Sequence, residues 1–321
     1  MEGRIATKFL RNNQEITHFE LPEGTFAIES EAFALCKNLS DVAGLEKVKI
    51  IGVSAFEDTA IKEVKLNAEI EEIADSCFAK CKDLKKISLP SKLKKIGRYA
   101  FSGCKSLEEI ILPESLESIE ESAFECCENL KSIILPEGLK KLGESAFACC
   151  QKAERVYLPK GLQYLEAYTF TGCSSLQSLS LPKGCEEIGS ACFAFCQNLK
   201  EVDLPNQLRK IDKQAFMCCS ALKEVNIPNS VTHISHYAFE DCYSLRQVSL
   251  SENIKSLGKR VFWGCDNLEI LTCPTEEPPQ TITSIFDINN QKIKICVNKQ
   301  SLSLYQATPH WREHSVLAYN D

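Results

Sequence analysis

Two hydrophobic rhythms alternate along most of this chain. In one short stretch the apolar residues fall every second position, as at Ile87 and Leu89. In the next they are spaced by three or four, as at Leu93, Ile96, Ala100 and Cys104. The first spacing predicts a strand and the second a helical turn. The pair returns about every 23 residues in the frame LxxIxLPxxLxxIGxxAFxxC, and a fixed period of this size marks a repeat architecture. Eleven phenylalanines keep the register from Phe33 to Phe262, and ten of them carry a cysteine three residues on, from Cys36 to Cys265. At Phe56 that place is taken by Thr59, and the next repeat is one residue short, which implies a tightened loop between Phe56 and Ile61.

The strand pattern begins at Ile16, Phe19 and Leu21 and ends at Leu268, Leu271 and Cys273, giving twelve candidate strands. Proline follows directly at Pro90, Pro113, Pro136, Pro159, Pro182, Pro205 and Pro228. It removes a ladder donor, so the strands should be short. Gly97, Gly143, Gly189, Asp212, Ser235 and Gly258 share the position four residues before the phenylalanine, where a helix N-cap would select them. A brief helix is expected there, with Ala100 and Cys104 turned inward on one face. One such unit cannot bury its apolar edge alone, whereas stacked neighbours form a continuous core.

These motifs resemble the leucine-rich repeats of BspA-like proteins, in which LP, IG, AF and C recur in units of this length. The likeness extends to a closing segment that includes Pro278, Pro279, Phe286, Ile293–Val297, Ser301–Tyr305 and Trp311. Departures stand at Gly44, Asn67, Ala153 and Ser251. The resemblance implies an α/β repeat solenoid: a right-handed superhelix with a concave parallel sheet, short helical turns on the convex side, and a binding surface for proteins or host matrix. The expected organisation is an N-terminal cap with the first strand over 1–23, the solenoid over 24–273 and a C-terminal cap over 274–321.

Charge narrows the partners. Charged residues make up 25% of the 321, the net charge is −7, and lysine and glutamate are interleaved without a basic stripe. Nucleic acid and acidic membrane surfaces are therefore poor partners. No apolar run is long enough to span a bilayer. Met1 to Phe9 lacks the apolar core of a secretory signal, so the sequence as written suggests a chain that does not export itself, whereas the resemblance implies surface exposure or secretion. A monomer is the expected state.

Of the eighteen cysteines, ten hold one internal frame position and are expected to be buried thiols. Cys126, Cys149 and Cys218 each precede a frame cysteine and should point away from it. Cys126 and Cys149 lie on adjacent turns within disulfide reach. Cys77 and Cys192 replace the frame alanine; a zinc site would need four ligands, so small-for-small substitution is the simpler reading. His233 with His236, and His310 with His314 around Trp311, lack partners that would complete a site. No phosphate-binding, dinucleotide, zinc-protease or serine-hydrolase motif occurs, and neither an enzyme, a cofactor nor a metal is expected.

Residues flanking the inward Leu and Ile of each strand should face outward by alternation. There, Ile111, Ile134 and Tyr157 form an apolar stripe edged by Glu109 and Arg155, as at a contact site. Strand propensity alone offers a simpler origin for it. Glu201, Asp203 and Glu224 add an acidic patch. The expected function is a protein-binding or adhesion scaffold. Polysaccharide binding and a thiol-dependent activity at the paired cysteines are the alternatives.

Overall fold

The computed structural model describes residues 4–5, 10–287 and 292–319. The segment Met1–Phe9, apart from Arg4 and Ile5, and part of the 274–321 tail lie outside them. The chain forms two compact units, Met1–Gly161 and Leu162–Asp321. Both are parallel solenoids in which each coil stacks in register on the next.

In the first unit, three-residue strands pair as His18–Glu20 with Asp41–Ala43, Glu63–Lys65 with Lys86–Ser88, and Ser132–Ile134 with Arg155–Tyr157. A second ladder, which the sequence reading missed, follows each of them. Its two-residue strands include Glu72–Ile73, Lys95–Ile96, Ser118–Ile119 and Lys141–Leu142, paired in that order. The second unit repeats both ladders. Ser178–Ser180 pairs with Glu201–Asp203. Glu224–Asn226, Gln247–Ser249, Ile270–Cys273, Lys294–Val297 and Ser315–Ala318 make a five-stranded parallel sheet, so the tail carries the ladder two strands further. Six two-residue strands from Tyr164–Leu165 to Gln280–Thr281 run in parallel as well.

The expected helical turns are not there. Among the described residues the only α-helix is Leu302–Ala307, in the tail. The AFxxC segments are instead chains of turns, with left-handed residues two before and two after each phenylalanine: Tyr99 (φ 55°) and Gly103 (76°), Ser122 (51°) and Cys126 (57°), Gln214 (60°) and Cys218 (59°). A right-handed helix cannot carry a positive φ at every fourth residue. The hydrogen bonds show what is gained. Tyr99, Phe101 and Gly103 donate their N–H to Glu121, Ala123 and Glu125 of the next coil at 3.0, 2.8 and 2.7 Å, while Ala100, Ser102 and Cys104 close local turns. A single helical turn is marginal alone and keeps its N–H groups along its own axis. Alternating the backbone hand lends every second one to the neighbouring coil, so buried donors are satisfied between coils.

The N-cap role falls with the helix. A Cβ on Gly97 would stand 2.7 Å from the Asp75 nitrogen, and one on Gly143 would stand 2.6 Å from that of Glu121. Glycine serves here because the preceding coil comes too close for a side chain.

The core is a ladder of rings and thiols. Phe33, Phe56, Phe78, Phe101, Phe124 and Phe147 are fully buried and stack at 5.0–5.6 Å within 10° of parallel. In the second unit Phe170, Phe193, Phe216, Phe239 and Phe262 stack at 5.3–5.8 Å within 16° of parallel. The frame cysteines are buried as expected, and they do more than fill space. Eight of them donate Sγ–H to the phenylalanine carbonyl of the coil before, among them Cys104 to Phe78 at 3.1 Å, Cys127 to Phe101 at 3.3 Å, Cys219 to Phe193 at 3.2 Å and Cys242 to Phe216 at 3.2 Å, whereas Cys36 donates to the Leu10 carbonyl at 2.9 Å. Where the frame loses its cysteine, the buried Thr59 hydroxyl donates instead to the Phe56 carbonyl of its own coil at 3.0 Å and lies 3.3 Å from the Cys81 sulfur.

Irregular positions are absorbed locally. The frame proline accepts a hydrogen bond from the residue three on, as in Leu93 to Pro90. Asn67 and Ser251 accept the same bond, and their side chains add one from Glu69 N at 2.8 Å and from Asn253 N at 3.0 Å. Gly44 takes a left-handed φ of 92° ahead of a short 3-10 turn at Leu45–Lys47.

Candidate interaction surface

Most three-residue strands bury their middle residue and turn the two beside it toward solvent, while Phe19 and Val202 in that place are half-buried. In Arg155–Tyr157, Val156 is buried, and Arg155 and Tyr157 are exposed. In Ser132–Ile134, Ile133 is buried and Ile134 is 59% exposed. Parallel register sets Ile134 opposite Tyr157, itself 54% exposed, and Ser132 opposite Arg155. The two apolar residues are therefore register partners on adjacent strands.

Ile111 needs a correction. It holds the equivalent place one coil earlier and is 86% exposed, but residues 107–113 form no strand. The ladder is interrupted between Lys86–Ser88 and Ser132–Ile134, so two strands and one irregular segment bear the stripe, not three strands. Glu109 is exposed in that same segment. Arg155 takes part in no ion pair among the described residues.

In the second unit Glu201 and Asp203 occupy the outward positions of one strand and Glu224 that of the strand 23 residues on, all exposed. No group of three or more His, Cys, Asp or Glu side chains is arranged to hold a metal among the described residues.

His233 opens a two-residue strand and meets the Thr232 hydroxyl at 2.7 Å, and His236 Nδ1 accepts the Lys259 N–H at 2.7 Å. His314 packs edge-on against Phe286 at 4.9 Å, and its burial lowers its pKa. Cys77 and Cys192 are buried in the alanine place, as small-for-small substitution requires. Burial pushes Cys81 up to about 12, so this frame thiol keeps its proton at neutral pH.

Sequence reasoning missed the pairing of charges between coils. Lys92 meets Glu69, Lys94 meets Glu71 and Lys95 meets Glu72, all at 2.8 Å and 23 residues apart. The interleaving of lysine and glutamate was visible, and the period would have turned it into these pairs. Tyr99 was also overlooked; it lies on the turn wall and donates its hydroxyl to Glu121 at 2.8 Å.

A family model described as "BspA type Leucine rich repeat region" matches in six copies, over residues 4–112, 94–222 and 163–292. The chain belongs to this family. Its members' frame accounts for the phenylalanine and cysteine ladder on both units. No curated protein sequence matches the chain. Among solved structures, a leucine-rich repeat protein from Bacteroides ovatus is 23% identical, covering 94% of this chain and 92% of that one, with a TM-score of 0.60. A leucine rich cell surface protein from Faecalibacterium prausnitzii is 22% identical over 84% of this chain and 80% of that one, with a TM-score of 0.56. The pneumococcal vaccine antigen PcpA is 19% identical over 99% and 85%, with a TM-score of 0.58. Likeness at these identities establishes the shared fold. No helix of this BspA-type chain is long and apolar enough to cross a membrane among the described residues.

Proposed function

We propose that this leucine-rich repeat chain is a non-enzymatic scaffold that holds a protein or peptide on the outward face of its three-residue ladder, at Ile111, Ile134 and Tyr157. The observation that carries this reading is the position of Ile111. Strand propensity explains an outward Ile134, because β-branched side chains suit a pleated surface. It gives no reason for an isoleucine 86% exposed where the strand is missing. An apolar stripe with a polar rim is the composition of a contact surface, and Glu109 and Arg155 supply charges of both signs at its margin. The acidic positions Glu201, Asp203 and Glu224 suit a basic segment of a partner.

The test is capture of partners by the immobilised wild-type chain and by Ile111→Asp/Ile134→Asp. Both side chains are exposed, so the variant should keep the wild-type circular dichroism and unfolding midpoint while losing the captured proteins. Equal capture by a folded variant removes the stripe from the function.

A further inference from the structure

Cys126 and Cys149 stand at one frame position on consecutive coils of the first unit, two residues after Phe124 and Phe147. Their backbones share a left-handed φ of 57° and 58°, so both side chains leave the turn in the same sense. The two coils are joined there by the Cys126 N–H, which donates to the Ala148 carbonyl at 2.8 Å. The rings of Phe124 and Phe147 lie 5.0 Å apart and within 4° of parallel, which measures the spacing of the coils at this point. A spacing of this size falls inside the Cα separations of about 4.4–6.8 Å that a disulfide accepts.

We propose that Cys126 and Cys149 form a two-thiol site that takes up low-molecular-weight disulfides and closes into a reversible bond between coils. Both are partly exposed, and each is near enough to the other for its charge to be felt. The cysteines that follow them are fully buried and engaged elsewhere, Cys127 with the Phe101 carbonyl at 3.3 Å and Cys150 with that of Phe124 at 3.4 Å. Only the outer pair therefore combines access with a sulfur neighbour on these coils. Burial, then the charge of the neighbouring Cys149, push Cys126 up to about 11.

The chemistry is thiol–disulfide exchange. One thiolate attacks a small disulfide RSSR, forms a protein–SR mixed disulfide and expels RS⁻, which takes a proton. The second thiol gives its proton to water and attacks the protein sulfur of the mixed disulfide. It forms the Cys126–Cys149 bond and expels the second RS⁻, protonated in turn. Two protein thiols are oxidised, and one RSSR is reduced to two RSH.

Cys218 is a control within the same chain. It has the same place in its turn, a φ of 59° and partial exposure, but its neighbours at that position are Phe195 and Asp241, with Asp241 Oδ2 3.9 Å from its sulfur. It can accept RS from a small disulfide but has no second thiol to finish the exchange.

The experiment treats the folded, reduced wild-type chain with glutathione disulfide near pH 8, where thiolate is available. Remaining thiols are blocked with N-ethylmaleimide before denaturation, and tryptic peptides are sequenced by mass spectrometry. The expected product joins the peptides that carry Cys126 and Cys149, lighter by two hydrogens and reopened by dithiothreitol. It should outnumber glutathione adducts at these two sulfurs by about tenfold or more, as an intramolecular second step at high effective concentration demands. Cys218 should carry glutathione or maleimide and no link. The proposal is overturned if Cys126 and Cys149 behave like Cys218, or if fragmentation assigns the link to Cys127 or Cys150. Cys149→Ser should leave Cys126 with only a glutathione adduct; the wild-type peptides decide the matter whether or not that variant folds.

Discussion

The two units have the same interior and different exteriors. Residues 1–161 hold 23 basic and 27 acidic side chains; residues 162–321 hold 14 and 17. Eleven ion pairs between described residues of the first unit join neighbouring coils, from Arg11–Glu31 to Lys141–Glu120. Among the described residues of the second unit, Arg209–Glu186 and Arg260–Glu240 are the pairs that do so. There several outward places of the strands go to serine, glutamine and asparagine, as in Ser178–Ser180 and Gln247–Ser249, and the acidic ones at Glu201, Asp203 and Glu224 have no ion pair among the described residues. The stacked rings and the thiol-to-carbonyl bonds are common to both. The comparison teaches that the periodic interior holds the coils together, while the surface lattice of charge is optional and free to vary with the partner.

The largest effect expected to sharpen this comparison comes from alkali, and it should strike both units alike. Burial raises the frame thiols of Cys81, Cys104, Cys196 and Cys242 well above their ordinary value of 9.0, that of Cys81 to about 12. A folded-state value above the unfolded one means that the native chain binds the extra protons. Their stabilisation is complete below pH 9 and is lost as pH rises through the folded values. Each such thiol withdraws about 1.4 kcal/mol per pH unit in that window, and with several acting together the chain should unfold cooperatively between about pH 9 and 11. Hydrogen exchange read separately over 1–161 and 162–321 checks this. Loss of protection confined to one unit would show that the thiol ladder is not the shared element.

Next in size are truncations of the ring ladder. Phe101→Ala and Phe216→Ala should each cost about 3–5 kcal/mol, by lost transfer energy plus the cavity between two neighbouring rings. The comparison predicts equal losses in the two units, measured as urea midpoints. A Phe101→Ala variant much milder than Phe216→Ala would mean that the ion pairs of the first unit carry stability assigned here to its core.

How far this was legible in the sequence follows from which features have a period. The ring and thiol ladders, the three-residue strands and the outward Ile134 and Tyr157 repeat with the frame and could be read from it. The turn walls could not be read from apolar spacing, because residues three and four apart face inward in a helix and in this chain of turns alike. A different signal was present: Gly103, Gly172 and Gly264, with Asp58 and Asp241, share the frame place two after the phenylalanine, and these residue types tolerate a left-handed backbone. The two-residue ladder was hidden because two residues are too few to show alternation. At the candidate surface, Ile111 was found by position but placed on a strand; the interruption of the ladder at 107–113 breaks the period and so left no periodic trace.

The smallest effect concerns the ion pairs themselves. Most of their side chains are largely exposed, as with Lys92 and Glu69 at 54% and 58%, and such pairs contribute little singly because water screens them and two long side chains must be held still. They also share a dependence that the core lacks. Raising sodium chloride from low ionic strength to about 1 M shortens the screening length to about 3 Å, close to the pair distances. Hydrogen-exchange protection should then fall slightly in 1–161 and hold steady in 162–321, by less than either preceding perturbation. Replacing Lys92, Lys94 and Lys95 together with glutamine should remove part of that salt response while leaving the urea midpoint near its wild-type value. A large drop in the midpoint from this triple change would make the charge lattice structural, and the difference between the units would then lie in how they are held together, not only in what they present to a partner.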